Sequence, residues 1–111
     1  MKVLKVADFA KFPGPRYRSL GKFSGEEFRD DILVPRIKEQ GESLVIDLDG
    51  VFGYGSSFLE EAFGGLVRKG LNHQTIIKIV ANLKCTEQPE LKKEIQSYVE
   101  SEISARVQSG V

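Results

Sequence analysis

Two aspartates separated by one residue, Asp47 and Asp49, follow a short apolar run and precede a glycine. Paired aspartates in this position are typical of phosphatases in which one carboxylate attacks phosphorus and the other acts as acid and base. Such enzymes need further aspartates to hold magnesium, and no aspartate follows Asp49 in this chain. We therefore expect no enzymatic role for the pair, and we expect both carboxylates to accept hydrogen bonds from loop amides.

A glycine-rich segment, residues 53–57, follows and opens a predicted helix. Amides at a helix start can hold a phosphate, so nucleotide or small-ligand binding is one interpretation. The segment contains no lysine and matches neither the P-loop nor the dinucleotide fingerprint. The favoured interpretation is that its glycines form a tight turn between a strand and a helix.

Ser56 and Ser57 end this glycine-rich turn. Ser57 stands three residues before Glu60, which is the spacing of a capping box, so it is predicted to be the N-cap of a helix over residues 57–69. The other interpretation is that Ser57 is a phosphoacceptor. The two roles do not exclude each other, and the capping role is favoured.

The remaining elements are predicted from hydrophobic periodicity. Strands are expected over residues 3–9, 44–48 and 75–80, with a short edge strand over residues 16–20 as an optional fourth. Helices are expected over residues 25–40, 57–69 and from about Leu91 to about Gln108, the first capped by Ser24 and kinked or broken near Val34 by Pro35. The predicted fold is an α/β open sheet of three or four mostly parallel strands with three helices.

Residues 11–22 form a locally basic segment in which aromatic residues alternate with cations. Its cations are Lys11, Arg16, Arg18 and Lys22, and its aromatic residues are Phe12 and Tyr17. One interpretation is contact with a phosphate or an acidic partner. The favoured one is a solvated loop whose aromatic rings cover the sheet edge.

Length and composition describe one soluble globular domain over residues 1–111. The chain has 41% apolar and 29% charged residues and a formal net charge of zero, so no global charge draws it to nucleic acid or anionic lipid. With one cysteine and one histidine, neither a disulfide nor a metal site is expected. No cofactor is indicated. No signal peptide or membrane span is evident, so a cytoplasmic location is expected.

Three stretches together resemble a bacterial STAS-like family of unknown function (the DUF4325 type). They are residues 12–17 (FPGPRY), residues 23–29 (FSGEEFR) and residues 45–63 (VIDLDGVFGYGSSFLEEAF). The order of elements is similar to that of STAS domains such as anti-sigma-factor antagonists. In antagonists, a serine on the turn after a central strand is phosphorylated by a partner kinase, and the resemblance places Ser57 at that position. Gly55 and Phe58 stand where antagonists have aspartate and glycine.

The resemblance implies a non-enzymatic, regulatory protein-binding module whose partner is a sensor-type ATPase or kinase. The contact surface it implies is the turn with the polar edge of the next helix. Its residues are Gly53, Tyr54, Gly55, Ser56, Ser57, Glu61, Gly64 and Arg68.

Overall fold

The sheet of this protein is small and parallel. In the computed structural model, which describes residues 2–108, strand β1 (Lys2–Lys5) pairs with β2 (Leu44–Asp47), and Val3 lies opposite Val45. Along the other edge of β2, Lys84 forms a single parallel bridge: its amide donates to Ile46 O (2.9 Å), and Leu48 N donates to Lys84 O (2.7 Å). Residues 44–47 thus have a partner on each side, but the described sheet has two strands, not the predicted three or four, so β2 is not the central strand of a larger sheet.

The described residues form five helices beside this sheet. Two of them are continuous runs that contain a π-helical segment in the middle. The bounds are α1 (Val6–Phe9), α2 (Gly25–Glu27, π Phe28–Leu33, Val34–Gln40), α3 (Ser56–Leu59, π Glu60–Gly64, Gly65–Arg68), α4 (His73–Ala81) and α5 (Glu90–Gln108). Short 3₁₀ turns lie at Arg18–Leu20 and Gly41–Ser43. In the described part of the chain, no helix is both long and apolar enough to cross a membrane.

Helix α2 begins as predicted, because Ser24 Oγ accepts the Glu27 amide at 3.0 Å. It also ends as predicted at Gly41, whose φ of +58° favours glycine. Pro35 does not break it. The π segment immediately before Pro35 has a wide turn in which the Val34 amide bonds to Arg29 O, and this gives room for the ring.

The predicted strand over residues 75–80 is wrong, since these residues lie in α4. Ile76, Ile79 and Val80 are buried, a spacing that fits one helix face, and Asn72 caps the helix by accepting the Thr75 amide at 3.0 Å. Burial on one face and a cap outweigh the preference of β-branched residues for strands.

Two further strand predictions need correction at the start of the chain. The strand over residues 3–9 stops at Lys5, because Lys5 pairs with Asp47, the last residue of β2, and the chain then turns into α1. Residues 16–20 form no edge strand and contain the 3₁₀ turn instead.

The core lies between the sheet and the helices, and its largest side chains come from α2, α3, α4, α5 and β2. Phe28, Leu33, Leu44, Ile46, Phe58, Leu59, Phe63, Leu66, Ile76, Ile79 and Ile95 are among its fully buried members. This core fixes the end of β2 against the start of α3, and the turn that carries the predicted site lies between them.

Candidate functional site

The turn after β2 is held at its base by reciprocal hydrogen bonds between two loops. Asp49 accepts the amides of Thr86 (3.2 Å) and Glu87 (3.0 Å), while the Gly50 amide donates to Glu87 Oε1 at 2.8 Å. Asp47 Oδ1 accepts the Asp49 amide at 2.9 Å. The expectation that both aspartates bond to loop amides is confirmed. The amide of Glu87, and then that of Thr86, hold the pKa of Asp49 below its ordinary value.

Two more contacts fix the middle of the turn. Tyr54 is half-buried against the core and donates its hydroxyl to Leu48 O at 2.8 Å, and the Phe52 amide donates to Lys11 O at 2.9 Å. Burial, followed by the nearby carboxylates, raises the pKa of the Tyr54 phenol, so the hydroxyl stays a donor at neutral pH. The turn is therefore ordered by hydrogen bonds within it and to the segments that carry Lys11 and Glu87.

The tip of the turn, Gly53 and residues 55–57, is exposed. Gly50 has a φ of +84°, which favours glycine, but Gly53 and Gly55 have no positive φ. A Cβ atom built on either of these two glycines meets nothing within 4 Å. The expectation that every glycine here serves the turn is therefore wrong for Gly53 and Gly55, since the fold would accept a side chain at both.

Ser57 is not the N-cap of its helix. Helix α3 begins one residue earlier than predicted, at Ser56, so Gly55 is the N-cap and no side chain caps this end. Glu60 does not reach back to form a capping box, because its carboxylate binds Arg16 and Arg68. Within residues 2–108, the hydroxyls of Ser56 and Ser57 make no hydrogen bond, so both are open to a partner.

An ionic cluster lies behind the tip and consists of Arg16, Arg29, Glu60, Glu61 and Arg68. Arg16 donates to Glu60 (2.5 Å) and Glu61 (3.2 Å), and Arg68 donates to both Glu60 oxygens (2.9 and 3.0 Å). Arg29 and Glu61, both buried, form a direct ion pair. Hydrogen bonds from Arg68, and then from Arg16, hold the pKa of Glu60 below its ordinary value. The cluster ties the basic segment and α2 to α3.

This cluster changes the predicted contact surface. Glu61 is only 7% exposed and Gly64 is buried, so neither lies on an open polar edge. A Cβ at Gly64 would lie 2.6 Å from Glu60 Oε2, and one at Gly65 would lie 2.5 Å from Arg29 Nη1. The two glycines therefore make room for the cluster. Arg68 is partly exposed but is held by Glu60, so the accessible part of the predicted surface is the turn.

The sequence did not identify Arg16 and Arg29 as the cations that neutralise Glu60 and Glu61 of α3. Arg16 and Glu60 are 44 positions apart, and no local spacing connects them. It also missed a stacked pair of exposed rings, Phe12 and Phe52, next to the turn. The signals available in the sequence were the density of cations in residues 11–22 and an aromatic residue, Phe52, in a glycine-rich turn.

The chain was compared with family models, curated proteins and solved structures, and the family comparison gave a match. No curated protein and no solved structure matched the chain. A family model described as a STAS-like domain of unknown function (DUF4325) matches residues 24–84, which is more than half of the 111 residues. The matched span runs from the cap of α2 to the bridge residue Lys84 and includes β2, the turn and α3. The chain therefore belongs to the family of STAS-like domains of unknown function.

Proposed function

We propose that this domain is a non-enzymatic, regulatory protein-binding module that presents the turn tip, Gly53 and residues 55–57, to a partner. The observation that carries the proposal is the contrast within the turn. Its base is fixed by Asp49, Glu87 and Tyr54, whereas the tip has open space beside both glycines, and its serine hydroxyls make no hydrogen bond within residues 2–108. Small residues with open space above them permit close approach of another backbone.

The family resemblance to anti-sigma-factor antagonists favours a sensor-type ATPase or kinase as the partner, with Ser57 as the phosphoacceptor. The exposed Ser57 hydroxyl lies in the first turn of α3, where the positive end of the helix dipole favours a phosphate. Glu60 and Glu61, which follow at helical spacing, are already neutralised by arginines. They would therefore repel a phosphate less than their sequence positions suggest.

The test of the binding surface uses a photo-reactive amino acid placed at Ser56 in cells that make the protein. It should cross-link a partner there, and the same residue placed at the exposed Ser101 of α5 should not. Gly55→Leu should lower the melting temperature only slightly, because leucine is a poorer N-cap than glycine but Gly55 has an ordinary φ of −77° and open space; it should abolish partner binding. Full binding by Gly55→Leu would contradict the proposed surface.

The regulatory part is tested with Ser57→Asp, measured by calorimetry against the cross-linked partner. A charge placed in a desolvated contact weakens the complex, and we expect a loss of more than tenfold, about 1.4 kcal/mol. Ser101→Asp adds the same charge at an exposed position of α5, outside the proposed surface, and should change nothing. Equal affinities for the wild type and Ser57→Asp would remove the phosphoserine switch from the proposal.

The alternative function is binding of a nucleotide or small ligand by the same turn. Residues 53–57 offer helix-start amides to a phosphate but no cation, and Arg16 behind them is held by Glu60 and Glu61. For these reasons we place it second. Saturable ATP binding that Gly55→Leu abolishes would favour the alternative over the protein-binding function.

A further inference from the structure

The rings of Phe12 and Phe52 form an exposed aromatic pair at the edge of the turn. Their centroids are 4.6 Å apart with an interplanar angle of 2°, and the two residues are 70% and 72% exposed. The hydrogen bond from the Phe52 amide to Lys11 O fixes the pair in place. Exposed apolar side chains that are ordered and adjacent mark interaction sites more often than isolated ones do, and aromatic residues are enriched among binding hot spots.

The chain segment that carries Phe12 is strongly basic, although the whole protein is neutral. Residues 2–23 contain six cations, Lys2, Lys5, Lys11, Arg16, Arg18 and Lys22, against the single acid Asp8. Arg16 and Arg18 are neutralised by Glu60, Glu61 and Asp31.

Three of these cations remain available to a partner. Among residues 2–108, no acidic group forms an ion pair with Lys5, Lys11 or Lys22, and all three side chains are exposed. Lys11 directly precedes Phe12. Lys22 lies close by along the backbone, because a Cβ on Gly14 would be only 2.1 Å from Lys22 O. The chain segment that carries Phe12 therefore holds positive charge that no described acid neutralises.

We propose that the Phe12–Phe52 pair is the apolar centre of a docking surface for an acidic segment of a partner protein that also carries an apolar side chain. The proposal rests on the protein-binding function above and adds the chemistry of the partner. Carboxylates of the segment meet the lysines, and its apolar side chain packs on the rings.

A single-stranded nucleic acid would offer negative charge as well, but it fits the geometry less well. Base-binding proteins present ring faces on which successive bases stack. Here the two rings cover one face of each other, and a spacing of 4.6 Å leaves no gap for a base between them. The neutral net charge also gives no long-range attraction for a polyanion.

The experiment is a selection from a library of random short peptides displayed on phage, with the purified domain as the target. Enriched peptides should combine an excess of aspartate and glutamate with an aromatic or leucine residue. The affinity of an enriched peptide should fall at least about tenfold for Phe12→Ser/Phe52→Ser and for Lys11→Glu/Lys22→Glu. Val107→Ser, which removes an equally exposed apolar side chain (67%) from α5, is the matched control and should bind as the wild type does.

The opposite results overturn the docking surface. They are no enrichment, enrichment of basic peptides, or unchanged affinity for the Phe12→Ser/Phe52→Ser protein. If a short oligothymidylate binds the domain more tightly than the enriched peptides do, and if the same variants abolish its binding, the surface is a nucleic-acid site instead. All variants change exposed residues, so unchanged melting temperatures will separate loss of binding from loss of folding.

The same variants distinguish this proposal from the proposed function. If the partner cross-linked at Ser56 binds the Phe12→Ser/Phe52→Ser protein normally but does not bind the Gly55→Leu protein, the proposed aromatic surface is wrong and the turn function stands. If the enriched peptides need the aromatic pair but the cross-linked partner tolerates Gly55→Leu, the turn function fails and the docking surface stands.

Discussion

At the scale of single residues, Ser24 and Ser57 share the spacing to a glutamate but have different surroundings. Each precedes a glutamate by three positions. The Ser24 hydroxyl is buried and accepts the Glu27 amide, and the Glu27 carboxylate accepts the Phe23 amide at 3.2 Å. The Ser57 hydroxyl is exposed in the first turn of α3, and Glu60 points to two arginines. Only Ser24 contributes to the stability of a helix end.

This difference predicts the effect of two matched substitutions. Ser24→Ala leaves the Glu27 amide without its acceptor and should lower the free energy of unfolding by about 1–2 kcal/mol. Ser57→Ala should change it by less than about 0.5 kcal/mol, because the side chain is exposed and unbonded. Urea denaturation of both variants measures the contrast. A cost of about 1 kcal/mol or more for Ser57→Ala would mean that Ser57 caps the helix after all.

At the scale of elements, the sequence indicates some helices and strands more clearly than others. Helix α2 follows from its cap, its apolar stripe and Gly41, and β2 follows from apolar residues at alternate positions. Helix α4 does not stand out, because the run at residues 75–80 is β-branched and its apolar positions fit either a strand or a helix.

Asn72 marks the start of α4 as its N-cap, and substituting it tests whether this element is a helix. Its side chain accepts the Thr75 amide, so Asn72→Ala should lower the free energy of unfolding by about 1 kcal/mol. Gln74→Ala changes an exposed residue inside the same turn and should have no effect beyond about 0.5 kcal/mol. Equal stability of the two variants would contradict a helix that begins at His73.

The sequence predicted the parts of the site that depend on neighbours along the chain, and it missed those that depend on distant partners. The turn and the amide bonds of Asp47 and Asp49 follow from their position after a strand. The burial of Glu61 and the lack of a side chain at Gly65 depend on Arg29 and Arg16, which reach α3 from other elements.

At the scale of the whole molecule, the ionic cluster connects four parts of the chain. Arg16 comes from the basic segment, Arg29 from α2, Arg68 from α3, and Glu102 of α5 lies 3.4 Å from Arg68. Because buried ions lose hydration, this arrangement stabilises the fold only while each charge keeps its partner. Protonation of the carboxylates removes those partners.

The pH dependence of stability follows from the direction of the pKa shifts. Arginine hydrogen bonds lower the pKa of Glu60 and of Asp30, and amide hydrogen bonds lower that of Asp49. A carboxyl group whose pKa is lower in the folded state binds fewer protons there than in the unfolded chain. Its contribution to stability is therefore complete above the ordinary value, 4.5 for Glu60, and is lost as the pH falls through the lowered folded value.

We accordingly expect the melting temperature to fall on acidification below about pH 4.5, with Glu60 as a main contributor. Glu60→Gln removes the charge that Arg16 and Arg68 share, so it should be clearly less stable than the wild type at pH 7. The difference should shrink as the wild-type carboxyl group becomes protonated, and it should vanish in strong acid. Glu42→Gln, at an exposed carboxylate paired with Lys78, is the control and should follow the wild-type curve closely. A Glu60→Gln curve parallel to the wild type at every pH would show that the glutamate stabilises the helices by packing and not by its charge.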